Sequence, residues 1–203
     1  KKICIQISNQ SSWWKIKMKK FFLAIFSIFL LFITSTEGKE KKMILELKDG
    51  KVEIELYPDV APQHVKQIET LVKNKEYDGV VFHRVIDGFM AQTGDVEFGN
   101  SKKSSYDIRR AGTGASNLPD LKAEFSNIPH ERGTLSMARS SDPNSANSQF
   151  FICFDSSPHL DRNYTVFGKV IKGMEFVDKI KKGSGPNGSV ENPDKIIRMS
   201  LTK

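Results

Sequence analysis

The sequence predicts a mostly β domain of about eight short strands and two helices, closed or nearly closed into an antiparallel barrel rather than laid out as an α/β sheet. Three observations carry this expectation. Short β-rich runs recur from residue 39 onward, separated by clusters of Gly, Pro, Asn and Ser. Only two stretches have the apolar spacing of an amphipathic helix. The 165 residues after position 38 are enough for one domain with a sizeable core and too few for two ordinary ones.

The elements follow in order. In MILELKDGKVEIELY (Met43 to Tyr57) apolar and polar residues alternate on either side of Asp49-Gly50, the pattern of two antiparallel strands joined by a tight turn. Pro58 and Pro62 end that hairpin. From Pro62, which suits the first turn of a helix, Val65, Ile68, Leu71 and Val72 fall on one face, predicting a helix to about Lys73. Five β-rich runs come next: Val80 to Ile86, Phe89 to Asp95, Gly133 to Arg139, Ser148 to Phe154 and Thr165 to Ile171. GMEFVDKIKKG (Gly173 to Gly183) predicts the second helix, with Met174, Val177 and Ile180 on its buried face and Gly183 as its C-terminal stop. Lys195 to Thr202 supplies a last strand. The polar segment Val96 to Ala111 carries Lys102, Lys103, Arg109 and Arg110 against Glu97 and Asp107, and is expected to be a long surface loop, solvated rather than a basic docking surface.

Charge and cysteine usage narrow the function. The chain of 203 residues has a formal net charge of +7, which suggests an acidic partner until its distribution is considered. Residues 1–38 hold six basic residues and one acid, so the rest carries only +2. A nearly neutral body whose aromatics sit in core-like strands argues against nucleic acid. Cys153 is the single cysteine beyond that segment, which excludes a disulfide framework or a multi-cysteine zinc site in the body. From Met18 the order is a basic Lys19-Lys20, thirteen residues of apolar character (Phe21 to Ile33), then Thr36, Glu37 and Gly38: the layout of a secretory signal peptide over residues 18–38, cleaved after Gly38. Residues 1–17 are expected to be an unstructured upstream extension, and residues 39–203 the domain. The body is then exported, with a periplasmic location expected and an uncleaved membrane anchor as the alternative.

Candidate chemistry concentrates in FHRVIDGFMAQTGD (Phe82 to Asp95). His83 and Arg84 are neighbours on a strand, so they point to opposite faces and cannot both serve one site directly. Phe89, Met90 and Gln92 lie close to Arg84 in sequence, and NSQFFICF adds Gln149 and Phe151. An apolar floor rimmed by a guanidinium and amides suits an uncharged amide substrate. Together with GTG (Gly112 to Gly114), Glu124-Phe125, GTLSMAR, SANSQFFICF, HLD (His159 to Asp161) and VFGKV, this segment resembles the cyclophilin family of peptidyl-prolyl cis-trans isomerases, with wording closer to bacterial members.

The resemblance spans about Met43 to Lys203 and implies a closed eight-stranded antiparallel barrel capped by two α-helices. It also implies a peptidyl-prolyl cis-trans isomerase that assists folding of exported proteins by acting on proline-containing polypeptides, as a monomer and without a cofactor or metal. Carried over by position, Arg84 is the main catalytic residue, with Gln92 and Phe89 in the catalytic set. Gln92 and the backbone around Ala138 and Arg139 hold the peptide, while Phe89, Met90, Phe151 and Leu160 line a proline pocket. Gln149 supports Arg84 from a neighbouring strand, and His83 shapes the site without transferring protons. His159 stands where many members have a rim tryptophan, which predicts weak cyclosporin binding. Tyr164 stands where animal members have a rim histidine, and keeps an aromatic ring with a hydroxyl. The rival expectation, from another class, is a holdase that uses the same groove without catalysis.

Overall fold

A computed structural model describes residues 41–202; the expected upstream extension and signal peptide lie outside the described residues. The hairpin forms as its alternation requires: β1 (Lys42–Leu47) pairs antiparallel with β2 (Gly50–Leu56), Leu47 opposite Gly50. Met43, Leu45, Leu47, Val52, Ile54 and Leu56 all point into the core. Helix α1 (Pro62–Lys73) follows with Pro62 in its first turn and Val65, Ile68, Leu71 and Val72 buried. The strands β3 (Arg84–Ile86), β4 (Met90–Thr93), β5 (Thr134–Met137), β6 (Phe150–Cys153), β7 (Val166–Lys172) and β8 (Arg198–Leu201) complete one sheet, in the order β3-β4-β6-β5-β7-β2-β1-β8. Every neighbouring pair is antiparallel.

The sheet curls into an open half-barrel, not the closed barrel expected. The outer edge of β3 is not free to meet β8, because the glycine-rich stretch 183–190 takes it. Val85 N donates to Gly188 O at 2.7 Å, Gly183 N to Val85 O at 2.9 Å and Val190 N to His83 O at 3.1 Å. Gly188 (φ 65°) passes so near the strand that a Cβ there would lie 2.4 Å from Ile86 Cγ1, a placement only glycine permits. The seam between the sheet's two ends is instead stitched by irregular backbone: Phe82 N donates to Asp194 O and Ile196 N to Val80 O, both at 2.9 Å.

The second helix is shorter than its sequence pattern. Helix α2 covers only Met174–Asp178. Beyond it the backbone donors are recruited elsewhere: Lys181 N donates to the Asp194 carboxylate at 2.8 Å, and Gly183 joins β3 rather than capping a helix. The Val96 to Ala111 segment is a surface loop, exposed over most of its length, whose turns fold around Asp95. Asp95 is fully buried, and its carboxylate accepts from Glu97 N, Phe98 N, Gly112 N and Gly114 N at 2.7–3.1 Å. Most of the loop's cations are spoken for: Lys103 pairs with Glu76, Arg109 with Asp107, and Arg110 lies 3.5 Å over the Phe98 ring.

Strand alternation divides the apolar residues between two faces. Phe150 and Ile152 of β6 enter the main core, where Tyr77, Phe150 and Phe167 meet edge to face at 5.6 and 5.9 Å. Phe151 and Cys153 enter a second, smaller cluster with Met90 and Leu160, flanked by Phe89, Ala138 and Tyr164. Full burial of each such side chain contributes roughly 1.5–3 kcal/mol. The smaller cluster is the floor of the site.

Candidate active site

Arg84 opens β3 opposite Gln92 of β4, and Gln92 lies opposite Phe151 of β6. Three strands thus bring a cation, an amide and an aromatic ring to one face. They line a cavity of about 190 Å³ together with Phe89, Met90, Ala138, Arg139, Leu160 and Tyr164. Among the residues expected from sequence, His83, Gln149 and His159 do not line it. Ala138 and Arg139 follow β5, and Leu160 ends a short 3-10 turn, Pro158–Leu160. Tyr164 meets Phe151 edge to face at 5.9 Å, and His159 lies at the rim with its ring 5.3 Å from that of Phe89.

The guanidinium is held by a directed chain of amides. Arg84 Nη1 donates to Gln92 Oε1 at 3.2 Å and its Nε donates to the Asn187 carbonyl at 3.0 Å. Gln92 Nε2 donates to Gln149 Oε1 at 3.1 Å, and Gln149 Nε2 donates to the carbonyls of Gly112 and Gly114 at 3.0 and 2.8 Å. The amides of those two glycines are gripped by Asp95. Gln149, just before β6, therefore reaches Arg84 through Gln92. Arg84 Nη2 has no protein partner among the described residues and remains available to a bound group. Partial burial draws the guanidinium below its ordinary pKa, with Tyr164 acting in the opposite sense. It stays a cation, as arginine does in proteins.

His83 faces away from this chain. It is buried, and its ring would lie 3.0 Å from a Cβ on Gly112. Neither ring nitrogen has a hydrogen-bond partner among the described residues. Burial depresses its pKa to about 4, Asp95 opposing and Arg84 reinforcing the shift. The enclosed imidazole packs against the glycine loop at Gly112.

Several supporting residues leave no mark in the sequence pattern. Asn187 contributes only a carbonyl, and Asp95 acts on backbone amides up to nineteen positions away; neither leaves a local pattern, although the glycines at 112, 114 and 188 mark where backbone passes close. A third group imitates a hydrolytic triad: His130 Nδ1 is 2.9 Å from Asp161 Oδ1, and its Nε2 is 3.0 Å from Ser136 Oγ. Ser136 has no exposed surface, so no acyl donor reaches it. The group instead ties the turn bearing Leu160 to β5, and the His130 ring stacks 6.2 Å from Phe151 beneath the cavity. Cys153 lies in the same floor, and burial pushes its thiol up to about 12, which leaves it protonated and inert. A neighbouring cavity of about 410 Å³ shares Gln92, Ala138 and Arg139 with the first.

Comparison with known proteins agrees with this geometry. Residues 42–201 match the family model described as cyclophilin type peptidyl-prolyl cis-trans isomerase/CLD. A probable peptidyl-prolyl cis-trans isomerase of Brucella suis is 61% identical over 168 residues, covering 82% of this chain and 85% of that protein. Peptidyl-prolyl cis-trans isomerase A of Dickeya dadantii is 38% identical over 169 residues, covering 79% and 83%. Among solved structures, a cyclophilin from Hirschia baltica superposes with a TM-score of 0.65 at 28% identity, over 79% of this chain and 73% of that one. A Cryptosporidium parvum cyclophilin-type isomerase crystallised in the presence of the dipeptide Ala-Pro superposes with a TM-score of 0.67 at 26% identity, over 80% and 99%. With nearly the whole described domain inside the family model and relatives this similar along most of their length, the chain belongs to the cyclophilin-type peptidyl-prolyl cis-trans isomerases.

Proposed function

We propose that the small cavity receives the proline ring of a polypeptide and that Arg84 drives rotation about the preceding amide. The barrier to that rotation is about 18–20 kcal/mol because resonance gives the C–N bond double-bond character. No covalent bond has to form or break. The ring packs on Phe89, Met90, Phe151 and Leu160, while Gln92 and the backbone at Ala138 and Arg139 engage the flanking chain. Arg84 directs a donor at the proline nitrogen, whose lone pair becomes available only as the amide twists and resonance is lost. The twisted state is then bound better than either planar state, which is the requirement for catalysis. The observation that carries this reading is that Arg84 lines the cavity with Nε and Nη1 fixed by Asn187 and Gln92, which leaves Nη2 without a partner among the described residues.

Removing a preorganised donor of this kind costs about 100- to 1,000-fold in rate. Arg84→Ala is therefore expected to lose at least about a hundredfold in kcat/KM on a proline-containing test peptide while its circular dichroism stays that of the wild type. Turnover within a few-fold of wild type would overturn the mechanism.

We further propose that the enzyme works on exported chains outside the cytoplasm. The support is the basic, apolar and small-residue order of residues 18–38, together with a body carrying only a slight net charge. Sequencing the N-terminus of the protein recovered from fractionated cells tests this. A mature chain in the periplasmic fraction that begins near residue 39 is expected; a cytoplasmic chain retaining Phe21 to Ile33 sinks the proposal.

A further inference from the structure

Several basic side chains on the described surface have carboxylate partners. Lys41 pairs with Glu69 at 2.9 Å, Lys48 with Asp194 at 2.7 Å, Lys103 with Glu76 at 2.6 Å, Arg132 with Asp178 at 2.6 Å and Lys169 with Glu131 at 3.2 Å. The groove differs. Both cations lining the small cavity, Arg84 and Arg139, have no carboxylate within ion-pair distance among the described residues, and no Asp or Glu lines that cavity.

Arg139 is nevertheless held firmly. Its Nε and Nη2 donate to Asn163 O at 3.3 and 3.0 Å, and its Nη1 donates to Ser140 O at 2.9 Å. The guanidinium carbon lies 4.4 Å from the centroid of the Tyr164 ring. Carbonyls and an aromatic face fix the position of the cation without cancelling its charge. It sits where the two cavities meet, since it lines both. A chain with its proline in the first cavity and its next residues over the second must pass this guanidinium, at about 3.3–3.6 Å of reach per residue. The carboxylate available in the second cavity is Asp120, whose Oδ1 accepts from Asn147 Nδ2 at 2.9 Å.

We propose that Arg139 is a specificity residue that selects proline-containing chains bearing an acidic side chain one or two residues from the proline. This rests on the isomerase reading of the groove and adds to it the substrate's charge. An uncompensated, immobilised guanidinium beside an apolar surface loses little side-chain entropy on meeting a carboxylate, which favours the pair over an ordinary exposed one.

The test uses the full chain and matched test peptides carrying Glu, Gln or Lys at each of the two positions on either side of proline. Near 20 mM salt, Glu is expected to exceed Gln in kcat/KM by about three- to tenfold on at least one side of the proline, with Lys below Gln. Near 1 M salt, where the screening length is about 3 Å, the three are expected to converge. Arg139→Gln is expected to bring the Glu-to-Gln ratio close to one, and Arg139→Lys to restore part of it. Equal rates for the three peptides at every position at low salt, a preference for Lys through Asp120, or a Glu preference that survives in Arg139→Gln overturns the proposal. Failure of the isomerase reading is distinguishable, because it removes turnover of the Gln peptides as well.

Discussion

At the residue scale, Arg84 illustrates why the site needs a guanidinium and not merely a positive charge. Three nitrogens in a rigid plane let one side chain donate to two fixed anchors, Asn187 O and Gln92 Oε1, and still keep a third donor for the substrate. Lysine offers one nitrogen on a flexible stem, so it cannot satisfy both anchors and the substrate together. Arg84→Lys is therefore expected to lose nearly as much kcat/KM as Arg84→Ala, at a KM within a few-fold of wild type, as measured on the same test peptide. A Lys variant that kept most of its activity would show that charge alone is enough. Most of this constellation was legible, because Arg84, Phe89, Met90 and Gln92 lie within nine residues and Gln149 and Phe151 recur together. The rest was not. Asn187 is a backbone acceptor 103 positions from Arg84, and Asp95 works through the amides of a loop, so neither has a side-chain pattern that sequence could expose.

At the element scale, α1 shows a contact that local rules miss. Its N-cap position is Ala61, which supplies no side-chain acceptor. Glu124, about sixty positions away, takes that place: its carboxylate accepts from Gln63 N and His64 N at 3.2 Å and lies 2.6 Å from His64 Nδ1. A negative group at a helix N-terminus satisfies orphan donors and the helix dipole at once. Glu124→Ala leaves two helix amides and a buried imidazole unpartnered and is expected to cost about 2–3 kcal/mol in urea unfolding, with Glu124→Gln retaining part of that. A loss below ~0.5 kcal/mol for the Ala variant would mean that water takes over these bonds at no cost. The strands of the opening hairpin were legible because alternation fixes their register residue by residue. The end of α2 was not, since Met174, Val177 and Ile180 keep helical spacing while the amide of Lys181 is claimed by Asp194. The open edge of the sheet has the same origin, a tertiary competition for β3 won by the Gly183 to Val190 stretch.

At the scale of the whole molecule, burial of histidines sets the response to acid. His64, His83 and His130 are all buried, and in each case desolvation is the largest influence on the pKa and lowers it. Glu124 and Asp161 oppose that shift for His64 and His130 without reversing it. In the unfolded chain the three imidazoles titrate near 6.5. As the pH falls below that value the unfolded state takes up protons that the native state refuses, so stability declines. For His83 the decline continues down to its folded value of about 4, where both states are protonated and the loss levels off. A shift of this size corresponds to something on the order of 3 kcal/mol from His83 alone. Above about pH 7 all three are neutral in both states and contribute no slope. Urea midpoints measured from pH 7.5 to pH 4.5 are thus expected to be flat at first and then to fall steadily below about pH 6.5. His83→Leu, which removes the most strongly shifted group while keeping an apolar side chain in its place, should flatten the larger part of that fall. A wild-type midpoint that holds constant to pH 4.5 would require the imidazoles to be protonated inside the fold, contrary to the enclosed, partnerless setting of His83 between Asp95 and Arg84.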